Sequence, residues 1–290
     1  MKRTFVAAML AWSITLPAFA DDAATPLWET ESAFRQPESV LLDARRQRLY
    51  VSNIDGGPLD KDGRGFVSTL GTDGKLQQLE WVGGLNAPKG MALVGDRLFV
   101  SDVDVLVEID VDKGTILKRY AAADARFLND VAADADGRIY VSDMITNRIY
   151  RLAEGRLESW LESPQLANPN GLAVVGERLF VATWGVMEAD FSTKVPGHVL
   201  TVSLGSRSIA DFGGTGPVGN LDGIEALADG SVLVSDWMAG GLMRVSSDGG
   251  VARLAALAPG SADIGIDAAG GLVWVPMMKE GTVRALRLGR

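Results

Sequence analysis

The chain has 290 residues, of which 47% are hydrophobic and 22% charged, an ordinary composition for a packed globular protein and not for a disordered one. Its formal charge of −9 argues against nucleic acid and anionic membranes as partners. It has no cysteine and a single histidine, His198, which excludes a thiol nucleophile and disfavours a Ser-His-Asp triad or a multi-histidine zinc site.

Residues 1–20 read as a secretory signal peptide. Lys2 and Arg3 form the positive start, Phe5 to Leu16 an apolar stretch too short to span a bilayer, and Ala18-Phe19-Ala20 a small-residue cleavage site. No later stretch is long and apolar enough to insert. Cleavage leaves 26 basic against 37 acidic residues, a formal charge of −11. The expectation is a periplasmic or secreted bacterial protein whose residues 21–290 form one domain, held by packing alone because no disulfide is available.

The rest of the chain repeats. "QPESVLLDARRQRLYVSNI", "APKGMALVGDRLFVSDV", "FLNDVAADADGRIYVSDM", "NPNGLAVVGERLFVATW", "NLDGIEALADGSVLVSDW" and "SADIGIDAAGGLVWVPMM" each carry a polar residue, a short apolar strand, a tight turn and a strong β-branched or aromatic strand. Aligned this way, the polar slots are Glu38, Lys89, Asn129, Asn170, Asp222 and Asp263, at intervals of 51, 40, 41, 52 and 41 residues. A period near 40 with several strands per unit is the signature of a β-propeller. The 34 glycines suit its many turns. Hairpins such as "GFVSTLGTDGKLQQLEWV" and "NRIYRLAEGRLESWL" complete the units, and "IDGGPLDKDGRG" and "GVMEADFSTKVPG" are polar insertions expected as long loops. The first of these lacks the third acidic position and the distal glutamate of an EF-hand, so it reads as a polar loop. The last repeat ends without a fourth strand. "PLWETESAF", near the start, is expected to supply it and close an all-β, six-bladed propeller of four-stranded blades.

The first strand of each blade lines a propeller's central channel, so six slots far apart in sequence meet at one mouth. The ends of the second strands are expected there too: Asn53, Asp102, Asp143-Met144, Thr183-Trp184, Asp236-Trp237 and Met277-Met278. Trp184 and Trp237 are better placed for exposure than Trp274, which lies within a strand. A ring of carboxylates and amides under a Met- and Trp-rich rim suits a small-molecule site. It also suits a hard divalent cation, with Asn170 as a neutral oxygen ligand. Two other readings compete. Asn and Asp before a strand often only bond their own turn, and Lys89 could neutralise an acid as a salt-bridged plug without metal.

At "ES" (Glu38), "RFLND" (Asn129), "PNG" (Asn170) and "LDG" (Asp222) the chain resembles the senescence-marker-protein/gluconolactonase family, also called the regucalcin family. The motifs fall in the family's order across nearly the whole mature chain. Paraoxonases and strictosidine-synthase-like proteins are related six-bladed propellers. The resemblance implies one divalent cation, Ca²⁺ first with Mg²⁺, Mn²⁺ or Zn²⁺ as alternatives, held by Glu38, Asn170 and Asp222. It implies that Asn129 contacts substrate or a water on the metal, and that Asp222 is the general base of a lactonase or related esterase. The family's substrate arginine stands two residues before the asparagine, whereas Arg126 stands three before Asn129. Arg126, Lys89, Met144, Trp184 and Trp237 are the expected substrate contacts, and the rim points to a more apolar ligand than a sugar. The alternative is a non-catalytic periplasmic propeller that binds a small ligand or a protein.

Overall fold

The computed structural model describes residues 23–188, 190–214 and 216–289; the presumed signal peptide lies outside the described residues. Six antiparallel sheets of four strands stand around an axis, and a two-stranded hairpin sits beside them. Blade 1 begins at Pro37–Asp43, blade 2 at Pro88–Val94, blade 3 at Leu128–Ala133, blade 4 at Pro169–Val175, blade 5 at Leu221–Ala226 and blade 6 at Gly265–Asp267. These innermost strands begin at or beside the polar slots, as the repeats predict.

Strand alternation builds the core between blades rather than within them. In Arg48–Asn53, Tyr50 packs with Leu98 and Val100 of blade 2, while Leu49 and Val51 pack with Trp274 and Val283 of blade 6. The same device recurs at the other interfaces, where Leu106 meets Val141, Ile149 meets Val181, Val199 meets Val234 and Leu233 meets Val275. No single sheet could bury both its faces alone, so the ring must close.

Closure falls to the N-terminal strand. Thr25–Glu29 pairs antiparallel with Thr282–Arg287, and the sheet order places it outermost in blade 6. Glu29 accepts from Thr282 Oγ1 at 2.9 Å and pairs with Arg284 at 3.0 Å, and Trp28 packs on the blade 6–blade 1 core. The ring therefore joins the two ends of the chain as adjacent strands of one sheet.

Near the axis the inner strands almost touch. A Cβ on Gly171 would stand 2.2 Å from the Asp222 carbonyl oxygen, and one on Gly223 2.4 Å from the Ile264 nitrogen. The Asn-Gly and Asp-Gly pairs thus have a steric cause: the residue after the slot faces the next backbone, and only hydrogen fits there.

Two outcomes follow from this packing. Deleting residues 23–30 is expected to lower the melting temperature by on the order of 10 °C, because it exposes an edge strand and the Trp28 seat; a truncated protein melting with the intact chain would contradict closure by this strand. Gly223→Ala is expected to cost about 1–3 kcal/mol in chemical denaturation. Gly205→Ala, where no atom lies within 4 Å of the new Cβ, serves as the near-neutral comparison.

Candidate active site

The slot residues are built in by a repeated serine. Ser101 Oγ donates to the Asn129 carbonyl oxygen, Ser142 Oγ to that of Asn170 at 2.7 Å and Ser235 Oγ to that of Ala262 at 2.8 Å. Each serine stands one residue before the end of a second strand and stitches it to the slot of the next blade. This register corrects the sixth slot. Ser261 pairs with Met277 as Pro37 pairs with Asn53, so Ala262, and not Asp263, is the counterpart of Glu38. Asp263 corresponds to Ser39, with which it forms a parallel bridge and a 2.5 Å hydrogen bond from Ser39 Oγ. A slip of one residue reverses the direction of a strand side chain, so Asp263 leaves the mouth.

Five polar side chains therefore form the floor of a cavity of about 490 Å³: Glu38, Lys89, Asn129, Asn170 and Asp222. All are buried. Asn170 Nδ2 donates to the Leu221 carbonyl at 3.1 Å, which turns Oδ1 inward, where the Asn129 amide donates to it. Asn129 Nδ2 also lies 3.8 Å from Met144 Sδ. Glu38 Oε2 is buried with no hydrogen-bond partner. Lys89 Nζ donates to the Ala87 carbonyl at 2.8 Å and lies 4.7 Å from the centroid of the Phe127 ring. Among the described residues Lys89 forms no ion pair, so the direct salt-bridged plug is not the arrangement seen.

Electrostatics follow burial. Glu38 is held well above the usual carboxylate range by burial first and then by Asp222 and Asp263, with Lys89 opposing. Asp222 is raised well above its range by burial, then by Asp263 and Asp236. Burial pushes Lys89 down to about 8 against the pull of Glu38 and Asp102.

The wall is apolar. Phe127, Met144, Trp184, Phe191, Trp237 and Met278 surround the floor. The insertion at Gly185–Pro196 was expected as a loop; it folds instead as a hairpin of Gly185–Met187 with Thr193–Pro196. Asn168 and Asn220 anchor it: Met187 N donates to Asn168 Oδ1 at 3.0 Å, and Asn220 Nδ2 donates to Thr193 Oγ1 at 2.7 Å. Phe191 near its tip covers Trp184, whose Nε1 donates to the Phe191 carbonyl at 3.0 Å. Trp184 is accordingly buried rather than exposed, while Trp237 is half-buried, and the two rings stand 5.9 Å apart. The first insertion contributes Ile54 and Pro58 to the same cavity.

Two expectations need revision. Arg126 is exposed and lies off the cavity, with its backbone N–H on Asp143 Oδ2 at 2.7 Å. Phe127, two residues before Asn129, takes the inward place, because strand entry alternates sides. The ends of the second strands also divide. Met144, Trp184, Trp237 and Met278 do line the cavity, but the residues just before most of them turn beneath it. Asp102 accepts from the backbone of Asn86 and Ala87, Asp143 from Ile145 and Thr146, and Asp236 from Met238 and Ala239. Asn53 and Thr183 likewise hold loop backbone, at Arg35 and His198. These five are loop staples.

Beneath the floor, Asp130, Glu225 and Asp263 line a second cavity of about 350 Å³ at the far end of the channel. Asp130 Oδ2 accepts from Leu172 N at 2.6 Å. Burial, aided by Asp263, raises Asp130 well above its range and Glu225 to about 8; burial takes Asp263 to about 7.

No protein-family model and no curated protein matches the chain. Solved structures match its fold over nearly its whole length. They include streptogramin B lyase, with a TM-score of 0.61 and 13% identity over 91% of this chain and 96% of that one. A catalytically inactive histidine-to-alanine variant of virginiamycin B lyase from Staphylococcus aureus, with quinupristin, gives 0.59 and 15% over 94% and 98%. The selenomethionine-substituted virginiamycin B lyase from the same organism gives 0.60 and 14% over 90% and 98%. At these identities the likeness establishes the propeller fold alone.

The raised carboxyls have a measurable consequence. A carboxyl whose folded pKa exceeds its unfolded value stabilises the protein while both states are protonated, and that stability is lost as pH rises through the folded pKa. For Asp263 and Glu225 the window runs from the ordinary carboxylate range near 4 up to about 7 and 8. Lys89 is charged in both states over most of that window and adds little slope. Metal-free protein is therefore expected to melt at a lower temperature at pH 8 than at pH 5, and Glu225→Gln should flatten the upper half of that decline. A melting temperature that climbs with pH between 5 and 8 would show that the native carboxyls are not raised.

Proposed function

We propose that this cavity is the active site of a metal-dependent hydrolase that opens a lactone or related ester of a small, largely apolar molecule. The observation that carries the proposal is the convergence of Glu38, Asn170 and Asp222 from three separate blades, all buried, with Glu38 Oε2 unpartnered. Two like charges brought together out of water oppose folding unless something positive joins them. Lys89 makes no ion pair with either acid, so it compensates only in part.

The donor set fits a hard divalent cation. Two carboxylates and an amide oxygen are ligand types for Ca²⁺ or Mg²⁺, and Ca²⁺ is the first candidate. Among the described residues no group of three or more His, Cys, Asp or Glu side chains is placed to hold a metal ion. In this reading the third protein ligand would be the amide oxygen of Asn170, with two acids rather than three. Such an ion, when bound, would polarise the scissile carbonyl.

The chain's own residues supply the rest. Asp222 accepts a proton from water as the water oxygen attacks the carbonyl carbon. The carbon–oxygen bond to the leaving alkoxide breaks, and the proton held at Asp222 passes to that alkoxide. Asn129, bonded to Asn170, orients the substrate or the attacking water. The apolar wall and the 185–196 hairpin exclude bulk solvent from the reacting carbonyl. A histidine-dependent reaction finds no support, because His198 stands beside Asp211 at 3.4 Å in blade 4 and does not line the cavity. Residues 1–20 support action in the periplasm or outside the cell.

Two measurements test this reading. Saturating Ca²⁺ added to chelated protein is expected to raise the melting temperature, with a gain of about 2.7 kcal/mol at a hundredfold excess over Kd. No shift with Ca²⁺, Mg²⁺, Mn²⁺ or Zn²⁺ would remove the metal from the proposal. Turnover of a panel of lactones and aryl esters at saturating metal should disappear in Asp222→Asn, which keeps the shape and one oxygen but accepts no proton at neutral pH. Asn129→Ala should lose only on the order of tenfold to a hundredfold in kcat/KM. If the native protein turns over nothing on the panel, the fold serves binding alone.

A further inference from the structure

We infer that the cavity selects an anionic substrate: an aryl or extended apolar lactone or ester that also carries a carboxylate, with the carboxylate seated on Lys89 and the apolar part between the aromatic walls. This rests on the divalent cation proposed above. The argument is one of charge. Glu38 and Asp222 bring two negative charges to the floor and Lys89 one positive charge. Addition of a divalent cation leaves the floor with one net positive charge, located at Lys89 and walled by Phe127, Trp184 and Trp237. The one further acid on the cavity lining among the described residues, Asp190, is exposed at the hairpin and accepts from Ser192.

A buried ammonium whose donors are only partly used is costly and recruits an anionic acceptor. Lys89 has three donors and spends one, on the Ala87 carbonyl. The Phe127 ring beneath it attracts the charge without neutralising it. Asp102 also attracts Lys89, but its carboxylate oxygens accept from the Asn86 and Ala87 N–H groups. Its counterparts Asp143 and Asp236 perform the same loop duty in blades that have no lysine. Asp102 therefore attracts Lys89 as part of the scaffold, but its oxygens are engaged by the loop and take none of the remaining Lys89 donors. Among the described residues no other lysine and no arginine lines the cavity, and Arg126 lies outside it. Lys89 is thus the cationic side chain that meets substrate there.

The test uses binding, so its outcome is separate from that of the hydrolase reading. Phenylacetate, phenylacetamide and phenethylamine, alike in their apolar part, are titrated calorimetrically into Ca²⁺-saturated protein. Phenylacetate is expected to bind at least about tenfold more tightly than phenylacetamide, and phenethylamine least tightly. Lys89→Met keeps the length of the side chain without its charge, and should abolish the preference for phenylacetate over phenylacetamide. Lys89→Arg should retain part of the preference. Equal binding of acid and amide by the native protein overturns the inference without any variant. A preference undiminished in Lys89→Met also overturns it, because the carboxylate would then be sitting on the metal. A protein that shows the preference yet hydrolyses no ester retires the hydrolase reading and leaves the anion subsite standing.

Discussion

The structure depends on how closely six backbones approach one another at the axis. Each inner strand lies near enough to the next that a single added carbon at Gly171 or Gly223 would strike main-chain atoms. This crowding leaves the slot side chains buried. The serine staples fix the spacing, since one hydroxyl both accepts from its own inner strand and donates to its neighbour's. Ser142 does this between Asp130 N and the Asn170 carbonyl, and Ser235 between Gly223 N and the Ala262 carbonyl. The site is held by main-chain geometry on both sides, and its side chains are free to differ from blade to blade.

That freedom separates two kinds of repeated polar residue that look alike in sequence. The Asp at the end of a second strand recurs because loop N–H groups need an acceptor. The identity of the residue in the inner slot changes in every blade except for the two asparagines, and no local hydrogen-bonding duty explains the sequence Glu, Lys, Asn, Asn, Asp, Ala. A turn-forming role would favour sameness. The variation follows from six positions that share one volume and must not all carry the same charge.

Much of this was legible in the chain. The period of about 40, the five true slots, the hairpins and the closing N-terminal strand all rest on strand alternation and turn chemistry, which are local. Legibility failed where one residue of register decides the outcome. "SADIGID" offers an acid next to the slot, and an eye seeking polar residues takes Asp263, whereas the pairing of Ser261 with Met277 sets Ala262 there. Arg126 and Phe127 present the same difficulty, because a functional arginine was sought where alternation turns a phenylalanine inward. The covering hairpin was hidden for another reason. Its two strands span only Gly185–Met187 and Thr193–Pro196, too short for a periodic signal, and they are anchored by Asn168 and Asn220, whose duty appears only in three dimensions.

Blade 6 gives the slot ring its direction. With alanine in its slot and Met278 at its rim, it adds no polar atom to the floor, so the hydrogen-bonding groups lie on an arc from blade 1 to blade 5. The two ends of that arc are acids: Glu38 opens it and Asp222 closes it across the apolar gap. Lys89 follows Glu38, and the paired asparagines precede Asp222. A symmetric ring of six acids would bind cations and repel everything else. An arc that holds its acids at the ends, a cation on one flank and amides on the other would, with the proposed divalent cation bound, set that ion, a positive seat and neutral donors within one cavity. Blade 6 instead presents Met278 to the cavity, a wall that an apolar group can meet without desolvating a charge.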